Sequence, residues 1–231
     1  MIQQNKPWKV IASERVVDNP HLLVRREQVQ LPNGEIIPDY HIIENRGWVG
    51  VVPVTEDGRL LINKQYKHGI GLEVLEFPAG GIDADEDDPR QTAIRELMEE
   101  TGYSVEANKL DFLAHMLANP TGAETLIWWY IAYDVRQTGQ QKPDPTEVIE
   151  NFLVTPTELL HLLHTGQFAV QGQVAAAYMA LERLGYLKVN IQEPIKKKSI
   201  VDFLEALPGH RIFQNADEVD AYINEERDSW E

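Results

Sequence analysis

From Trp8 to about Asn45 apolar and polar residues alternate in three runs, WKVIASERVV, HLLVRREQVQL and EIIPDYHIIEN. Asn19-Pro20 and Pro32-Asn33-Gly34 interrupt them. A period of two with turn residues at the breaks predicts a three-stranded antiparallel sheet. A sheet of that size is marginal alone and has one face to bury. Trp48 to Val54 and Arg59 to Tyr66 read as two strands joined by Glu56-Asp57-Gly58, which predicts a hairpin. Leu110 to Leu117 and Leu126 to Val135 read as two further strands. The second carries Ile127-Trp128-Trp129-Tyr130, expected as buried sheet and not as a base-stacking platform.

Between these strands the period changes. Ala93, Ile94, Leu97 and Met98 recur at helical spacing and form one apolar stripe. Asp88 suits the N-cap, Pro89 the first helical position, Gln91 a capping-box-like pattern, and Gly102 the left-handed stop. These signals predict a helix over Pro89–Thr101, with Glu96, Glu99 and Glu100 on the side away from the stripe. Thr155-Pro156-Thr157-Glu158 is a capping box that predicts a helix running to His164 and ended by Gly166. A second helix is expected from about Gln173 to Leu184. Beyond Lys196-Lys197-Lys198 the tail reads as helix, turn and helix. It is too short to hold its own core, so it is expected to dock on a partner. The organisation predicted is an N-terminal sheet over residues 1–46, a main domain over 47–189 and a helical appendage over 190–231.

Composition narrows the function classes. The 231 residues include no cysteine, which excludes disulfides and thiolate metal sites. A net charge of -16 argues against nucleic-acid binding, which needs a basic stripe. No apolar run is long enough to span a membrane, and MIQQNKPWKV has no signal-peptide core, so a soluble, cytoplasmic protein is expected. The histidines, among them His68, His115, His161 and His164, show no metal-ligand spacing.

The helix over Pro89–Thr101 carries the chemistry. Like charges at i, i+3 and i, i+4 each cost roughly 0.2–0.5 kcal/mol. Carboxylates near a helix C-terminus also meet the negative end of its dipole. Glu96, Glu99 and Glu100 are disfavoured on both counts, and Arg95 supplies one compensating charge. Clustered carboxylate oxygens suit a hard divalent cation such as Mg2+. A solvated acidic helix face is the plainer alternative.

The stretch GGIDADEDDPRQTAIRELMEETGY resembles the Nudix box, G-x5-E-x7-R-E-U-x-E-E-x-G-U, with U a bulky apolar residue. Arg95, Glu96, Leu97, Glu99, Glu100, Gly102 and Tyr103 match its second half. If Gly81 opens the box, its first acid falls on Asp87; if Gly80 does, it falls on Glu86 and one extra residue precedes Arg95. Pro78-Ala79-Gly80 is similar to the PAG lead-in of the ADP-ribose pyrophosphatase branch and favours Gly80.

The resemblance implies an α/β fold, an α/β/α sandwich with a mixed sheet, beside an N-terminal sheet that packs across a two-fold partner to make a homodimer. It implies a pyrophosphohydrolase that splits ADP-ribose, or a related nucleoside diphosphate sugar, to a nucleoside monophosphate and a sugar phosphate. Mg2+, or Mn2+ in its place, would be held by Glu96, Glu99, Glu100 and the Ala79 carbonyl. Arg95, Glu99, Glu100 and Glu147 form the implied catalytic set, with Arg95 orienting the glutamates and Glu147, first acid of an E-x-x-E with Glu150, or else one of the box glutamates, taking a proton from water. Lys67 stands where the branch carries a phosphate-binding arginine, keeping the charge and losing the bidentate fork. Glu76 matches the glutamate near the adenine and metal side, and Pro120 lies in NPTGAET, in the place of a substrate loop. Trp48 suits either base stacking or the core. The other readings are a Nudix hydrolase acting on GDP- or UDP-sugars and a non-catalytic Nudix-fold nucleotide sensor. The second would be expected to have lost the box acids that this chain retains.

Overall fold

The three N-terminal runs become β1 (Lys9–Asn19), β2 (Leu22–Gln30) and β3 (Ile36–Glu44) in a computed structural model that describes residues 7–19, 22–83 and 86–187. They pair antiparallel in the order β1-β2-β3. The edge strand β1 is exposed along nearly its whole length, and Trp8, Val10, Ile11, Val16, Leu22 and Ile36 leave apolar side chains in solvent. The segment Ala118–Thr125 ties β3 to the rest of the chain. Ile43 N–H donates to the Gly122 carbonyl at 2.9 Å, and Glu124 N–H donates to the Ile43 carbonyl at 3.0 Å. Arg25 adds an ion pair to Glu124 at 2.5 Å.

The main sheet holds β4 (Trp48–Thr55), β5 (Leu60–Lys67), β6 (Leu72–Glu76), β7 (Ala79–Gly81), β8 (Tyr103–Ser104), β9 (Leu110–Leu117), β10 (Leu126–Gln137) and β11 (Ile149–Val154). Its order is β11-β5-β4-β10-β8, with β6 beside β5, β7 beside β4 and β9 beside β10. β4 and β10 run parallel and the other named pairs antiparallel, so the sheet is mixed. Strand β4 is central and buried from Val49 to Val54, as its near-continuous apolar sequence requires.

Successive side chains of a strand face opposite sides, and that alternation sorts two cores. Val52, Val54, Leu60, Ile62, Trp129 and Ile131 pack under α2 (Pro156–His164) and α3 (Gln171–Arg183), with Leu159, Ala176, Ala180 and Leu181. Val49, Val51, Leu61, Tyr130 and Ala132 pack on the other face, under Ala93 and Leu97 of α1 (Pro89–Thr101). The arrangement is an α/β/α sandwich. Leu97 is fully buried, a contribution of about 1.5–3 kcal/mol for a side chain of that size. Trp129 and Tyr130 are buried sheet residues, as the aromatic run predicted.

Helix α1 begins and ends where its sequence signals stand. Asp88 accepts a hydrogen bond from Arg90 N–H at 3.0 Å, while the Gln91 side chain is exposed, so the cap works through Arg90 and not through a capping box. At the far end Gly102 has φ 75° and its N–H closes on the Met98 carbonyl. The capping box of α2 forms as predicted. Helix α3 starts at Gln171, two residues before the expected Gln173, because Gln173 lies inside it. The Gln173 amide brackets Phe77, accepting from its N–H at 2.7 Å and donating to its carbonyl at 3.2 Å. That contact fixes the chain just before Ala79. No helix among the described residues is long and apolar enough to cross a membrane. The appendage predicted over 190–231, with its docking role, lies outside the described residues.

Candidate active site

The alternation that buries β4 also brings β7 against it, with Gly80 opposite Val49. Helix α1 then returns across this edge, and its acids meet the strands. A cavity of about 510 Å3 opens there. Its walls bring together Trp48, Lys67, Ala79, Arg95, Glu96, Glu99, Glu100 and Glu147, with Gly80, Gly81, Asp83, Pro143 and Asp144. Glu76 stands just behind this lining, paired with Lys67 at 2.5 Å. Trp48 is 48% exposed at the rim, so it is not a core tryptophan. Pro120 is not among the lining residues, and its loop is occupied with β3 instead. Glu150 also stays out of the cavity, held by Lys64 at 2.7 Å on the neighbouring strand.

Arg95 organises the acids. Its Nε donates to Glu86 Oε1 at 2.9 Å and its Nη2 to Glu86 Oε2 at 3.1 Å. Its Nη1 reaches Glu96 Oε1 at 2.8 Å and Glu99 Oε2 at 2.9 Å. Glu86 also accepts from the Thr92 hydroxyl at 2.7 Å. The Arg95 guanidinium holds the Glu86 carboxyl down to about 2. Asp87 is exposed, so the geometry gives the place of the first box acid to Glu86, with the extra residue accommodated before Arg95.

Glu100 does not lie on the solvent side of the helix as the sequence pattern suggested. Three residues on from Leu97 it is rotated from that buried position by only roughly 60°. It is 4% exposed. Its Oε2 accepts from Asn63 Nδ2 at 2.7 Å and from Ala79 N–H at 3.1 Å. Burial, then the charges of Glu96, Glu147 and Glu76, push its carboxyl up to about 9. Burial likewise pushes Glu96 up to about 7 against the pull of Arg95. Burial also raises Glu76 from the ordinary carboxylate range, against the bond from Lys67. Gly80 leaves room for this cluster, since a Cβ there would fall 1.9 Å from Glu96 Oε1.

Glu147 comes from the segment between β10 and β11. Thr138 and Gly139 donate their N–H groups to the Gly102 carbonyl at 3.0 and 3.1 Å, and Lys142 N–H donates to the Glu99 carbonyl at 2.7 Å. These bonds satisfy carbonyls at the end of α1 and carry the chain round to a turn in which Glu147 N–H donates to Asp144 O at 2.8 Å. The carboxylate thereby arrives opposite α1, close enough to raise both Glu96 and Glu100.

Among the described residues no three His, Cys, Asp or Glu side chains already converge in ligating geometry. Glu96 and Glu99 are turned to Arg95. The donor set nevertheless fits a hard divalent cation: Glu96, Glu99, Glu100 and Glu147 share one cavity with Arg95 and Lys67 as its cations, and two of the acids resist ionisation. Ala79 belongs to the same wall.

Sequence reasoning missed Asn63 and Asn151. They are direct cross-strand partners on β5 and β11. Asn63 Nδ2 serves the Glu100 side chain and Asn151 Nδ2 the Glu100 carbonyl at 3.0 Å. Each has a buried Oδ1 without a hydrogen-bond partner in the protein, at a cost of about 1–3 kcal/mol for such a group. The available signal was the alternation Leu61-Asn63-Gln65, which puts amides on the inward face of an otherwise apolar strand.

Comparison with known proteins places the chain in a family. The model of the NUDIX domain matches residues 45–176, and that of the nucleoside diphosphate sugar hydrolase N-terminal domain matches 8–43. The ADP-ribose pyrophosphatase of Bacillus subtilis is 29% identical over 176 residues, 75% of this chain and 93% of its own length. That of Mycobacterium tuberculosis is 30% identical over 133 residues, 58% of this chain and 63% of its own. A solved structure described as an ADP compounds hydrolase shares the fold, with a TM-score of 0.69 at 23% identity, over 80% of this chain and 97% of that one. With the domain match covering more than half of the sequence and the box acids gathered at one cavity, the chain belongs to the Nudix family, as a hydrolase resembling ADP-ribose pyrophosphatases.

Proposed function

We propose that this chain is a metal-dependent pyrophosphohydrolase that cleaves ADP-ribose, or a related nucleoside diphosphate sugar, to a nucleoside monophosphate and a sugar phosphate. The observation that carries the reading is Glu100, buried at 4% exposure and surrounded by further carboxylates in a cavity open enough for a diphosphate. A cluster this unfavourable is expected where a cation completes it. The names of the Bacillus and Mycobacterium relatives, and the N-terminal match to nucleoside diphosphate sugar hydrolases, support the substrate class.

Glu96, Glu99, Glu100 and the Ala79 carbonyl hold the cation, Mg2+ with Mn2+ as a substitute. When bound it supplies charge neutralisation for the diphosphate and Lewis acidity. Arg95 sets the orientation of Glu96 and Glu99, and is itself set by Glu86. Glu147 takes the proton of the attacking water. Water oxygen bonds to one phosphorus as the bridging P–O bond breaks, leaving a phosphate on each product. Lys67 grips the phosphates as a point charge, and Trp48 offers an exposed indole at the rim for the base.

The exposed apolar side chains of β1 support a homodimer formed through the N-terminal sheet. The absence of cysteine agrees with a cytoplasmic setting. A second substrate reading, a GDP- or UDP-linked sugar, stands beside it, because Lys67, engaged by Glu76 and Gln65, would meet phosphate and not the base. A panel of ADP-ribose, GDP- and UDP-sugars, diadenosine polyphosphates and nucleoside triphosphates, assayed with Mg2+ and with products identified, separates the two. Highest kcat/KM on ADP-ribose is expected; preference for a triphosphate would sink both.

A further inference from the structure

Asn63 and Asn151 face each other across β5 and β11, on the side of the sheet that carries Leu61 and Leu153 into the core beneath α1. Apolar residues at these places would continue that core without leaving two amide oxygens unpaired. What the amides do instead is hold Glu100 from two directions, with Asn151 Nδ2 also donating to Gln141 Oε1 at 2.5 Å. Asn63 Nδ2 donates to Glu100 Oε2 at 2.7 Å, and Asn151 Nδ2 donates to the Glu100 backbone carbonyl at 3.0 Å. Ala79 N–H adds a second bond to Oε2 at 3.1 Å. Among the described residues both hydrogen bonds to this carboxylate fall on Oε2, so Oε1 is the oxygen left over.

We propose that Asn63 and Asn151 are positioning residues that fix Glu100 at its side chain and its backbone, so that Oε2 is anchored and Oε1 is presented to the cation. The inference rests on the reading of Glu100 as a cation ligand. The pair sits behind the ligand and touches neither substrate nor metal. Because Asn63 is 1% exposed, its amide cannot rotate into solvent, and the anchor is preset before any ligand arrives. Carboxylates that are themselves hydrogen-bonded ligate in a defined direction, and loss of such outer partners costs about 10–100-fold in metal affinity or activity.

The test uses the full chain with Asn63→Leu and the double variant Asn63→Val/Asn151→Val, beside Glu100→Gln. Mn2+ binding to the substrate-free protein is measured by titration with electron paramagnetic resonance, steady-state turnover gives kcat and KM, and melting is followed in EDTA. Both asparagine variants are expected to stay folded in EDTA, the loss of the hydrogen bonds to Glu100 being offset in part by removal of the unpaired buried oxygens, yet to bind Mn2+ about 10-fold more weakly and to lose kcat with little change in KM. Mn2+ affinity within twofold of wild type in the double variant, while Glu100→Gln loses it, would overturn the positioning role alone. Undiminished Mn2+ binding in Glu100→Gln would instead overturn the ligand assignment beneath it. Failure of both asparagine variants to fold would overturn the proposal too, because the amides would then be holding the sheet and not the carboxylate.

Discussion

Arg95 meets Glu86 edge to edge, Nε to Oε1 at 2.9 Å and Nη2 to Oε2 at 3.1 Å, across the loop that precedes α1. A bidentate pair fixes the guanidinium plane, and that plane decides where Nη1 finds Glu96 and Glu99. Glu86→Gln is therefore expected to lower kcat on ADP-ribose about 10-fold or more, through Arg95. Asp87→Asn, next to it and exposed, is expected to change it less than about twofold. Equal losses in a steady-state comparison would mean that the extra residue is accommodated elsewhere.

The raised acids give the metal-free protein a distinctive response to pH. Glu96 at about 7 and Glu100 at about 9 lie above their ordinary 4.5, so the folded state favours their neutral forms. Their penalty on folding is absent below about pH 4.5 and grows as pH rises through 7 toward 9. Glu86 has the opposite sign: held at about 2, its contribution is complete above 4.5 and is lost only as pH falls toward 2. In EDTA, Tm is expected to fall between about pH 5 and 9, and the increase in Tm on adding Mg2+ to widen over the same range. Glu100→Gln should flatten both trends. A Mg2+ effect that shrank with rising pH would contradict the assignment.

Gly80 leaves no room for a methyl group beside the acids. A Cβ there would overlap the Glu96 carboxylate at 1.9 Å, whereas Gly69, in the turn between β5 and β6, has nothing within 4 Å. Gly80→Ala is expected to displace Glu96 and reduce kcat about 10–100-fold, with weaker Mg2+ dependence. Gly69→Ala should be nearly neutral. Titrating rate against Mg2+ for both variants checks the contrast.

The proposed homodimer would cover the apolar surface of β1. Light scattering on the eluting protein is expected to give twice the chain mass of 26.3 kDa. Ile11→Glu, placed in that exposed strand, should shift it toward the single chain. A clean monomer for the unmodified protein would remove the dimer.

Much of the fold was legible because its signals are local. The bounds of α1 follow from Asp88, Pro89 and Gly102, and the three N-terminal strands from a period of two broken by Pro, Asn and Gly. The two sides of the main sheet follow from side-chain alternation once the strands are placed, but the near-continuous apolar run of β4 does not mark them. The site was legible only in part. Glu100 was grouped with Glu96 and Glu99 because carboxylates are normally solvated, yet it lies at the edge of the buried stripe. Asn63 and Asn151 stand 88 positions apart, and only strand pairing makes them neighbours. Pro120 was placed by analogy with a substrate loop, while the bonds its loop makes run to β3, a long-range contact that spacing does not carry. Glu150 matched an E-x-x-E pattern, but the strand period sends it to Lys64 and leaves Glu147 to the cavity.

Acids gathered around Glu100 are proposed to run metal-dependent cleavage of a nucleoside diphosphate sugar. Its most direct test is the turnover of ADP-ribose by wild type and Glu100→Gln, each with Mg2+ and with EDTA, products resolved by ion-exchange chromatography. AMP and ribose 5-phosphate are expected in equal amounts from wild type with Mg2+ alone, and the variant is expected to be slower by roughly 100-fold or more while keeping its fold. Turnover that survives EDTA, or a Glu100→Gln variant that works at close to the wild-type rate, would contradict the account.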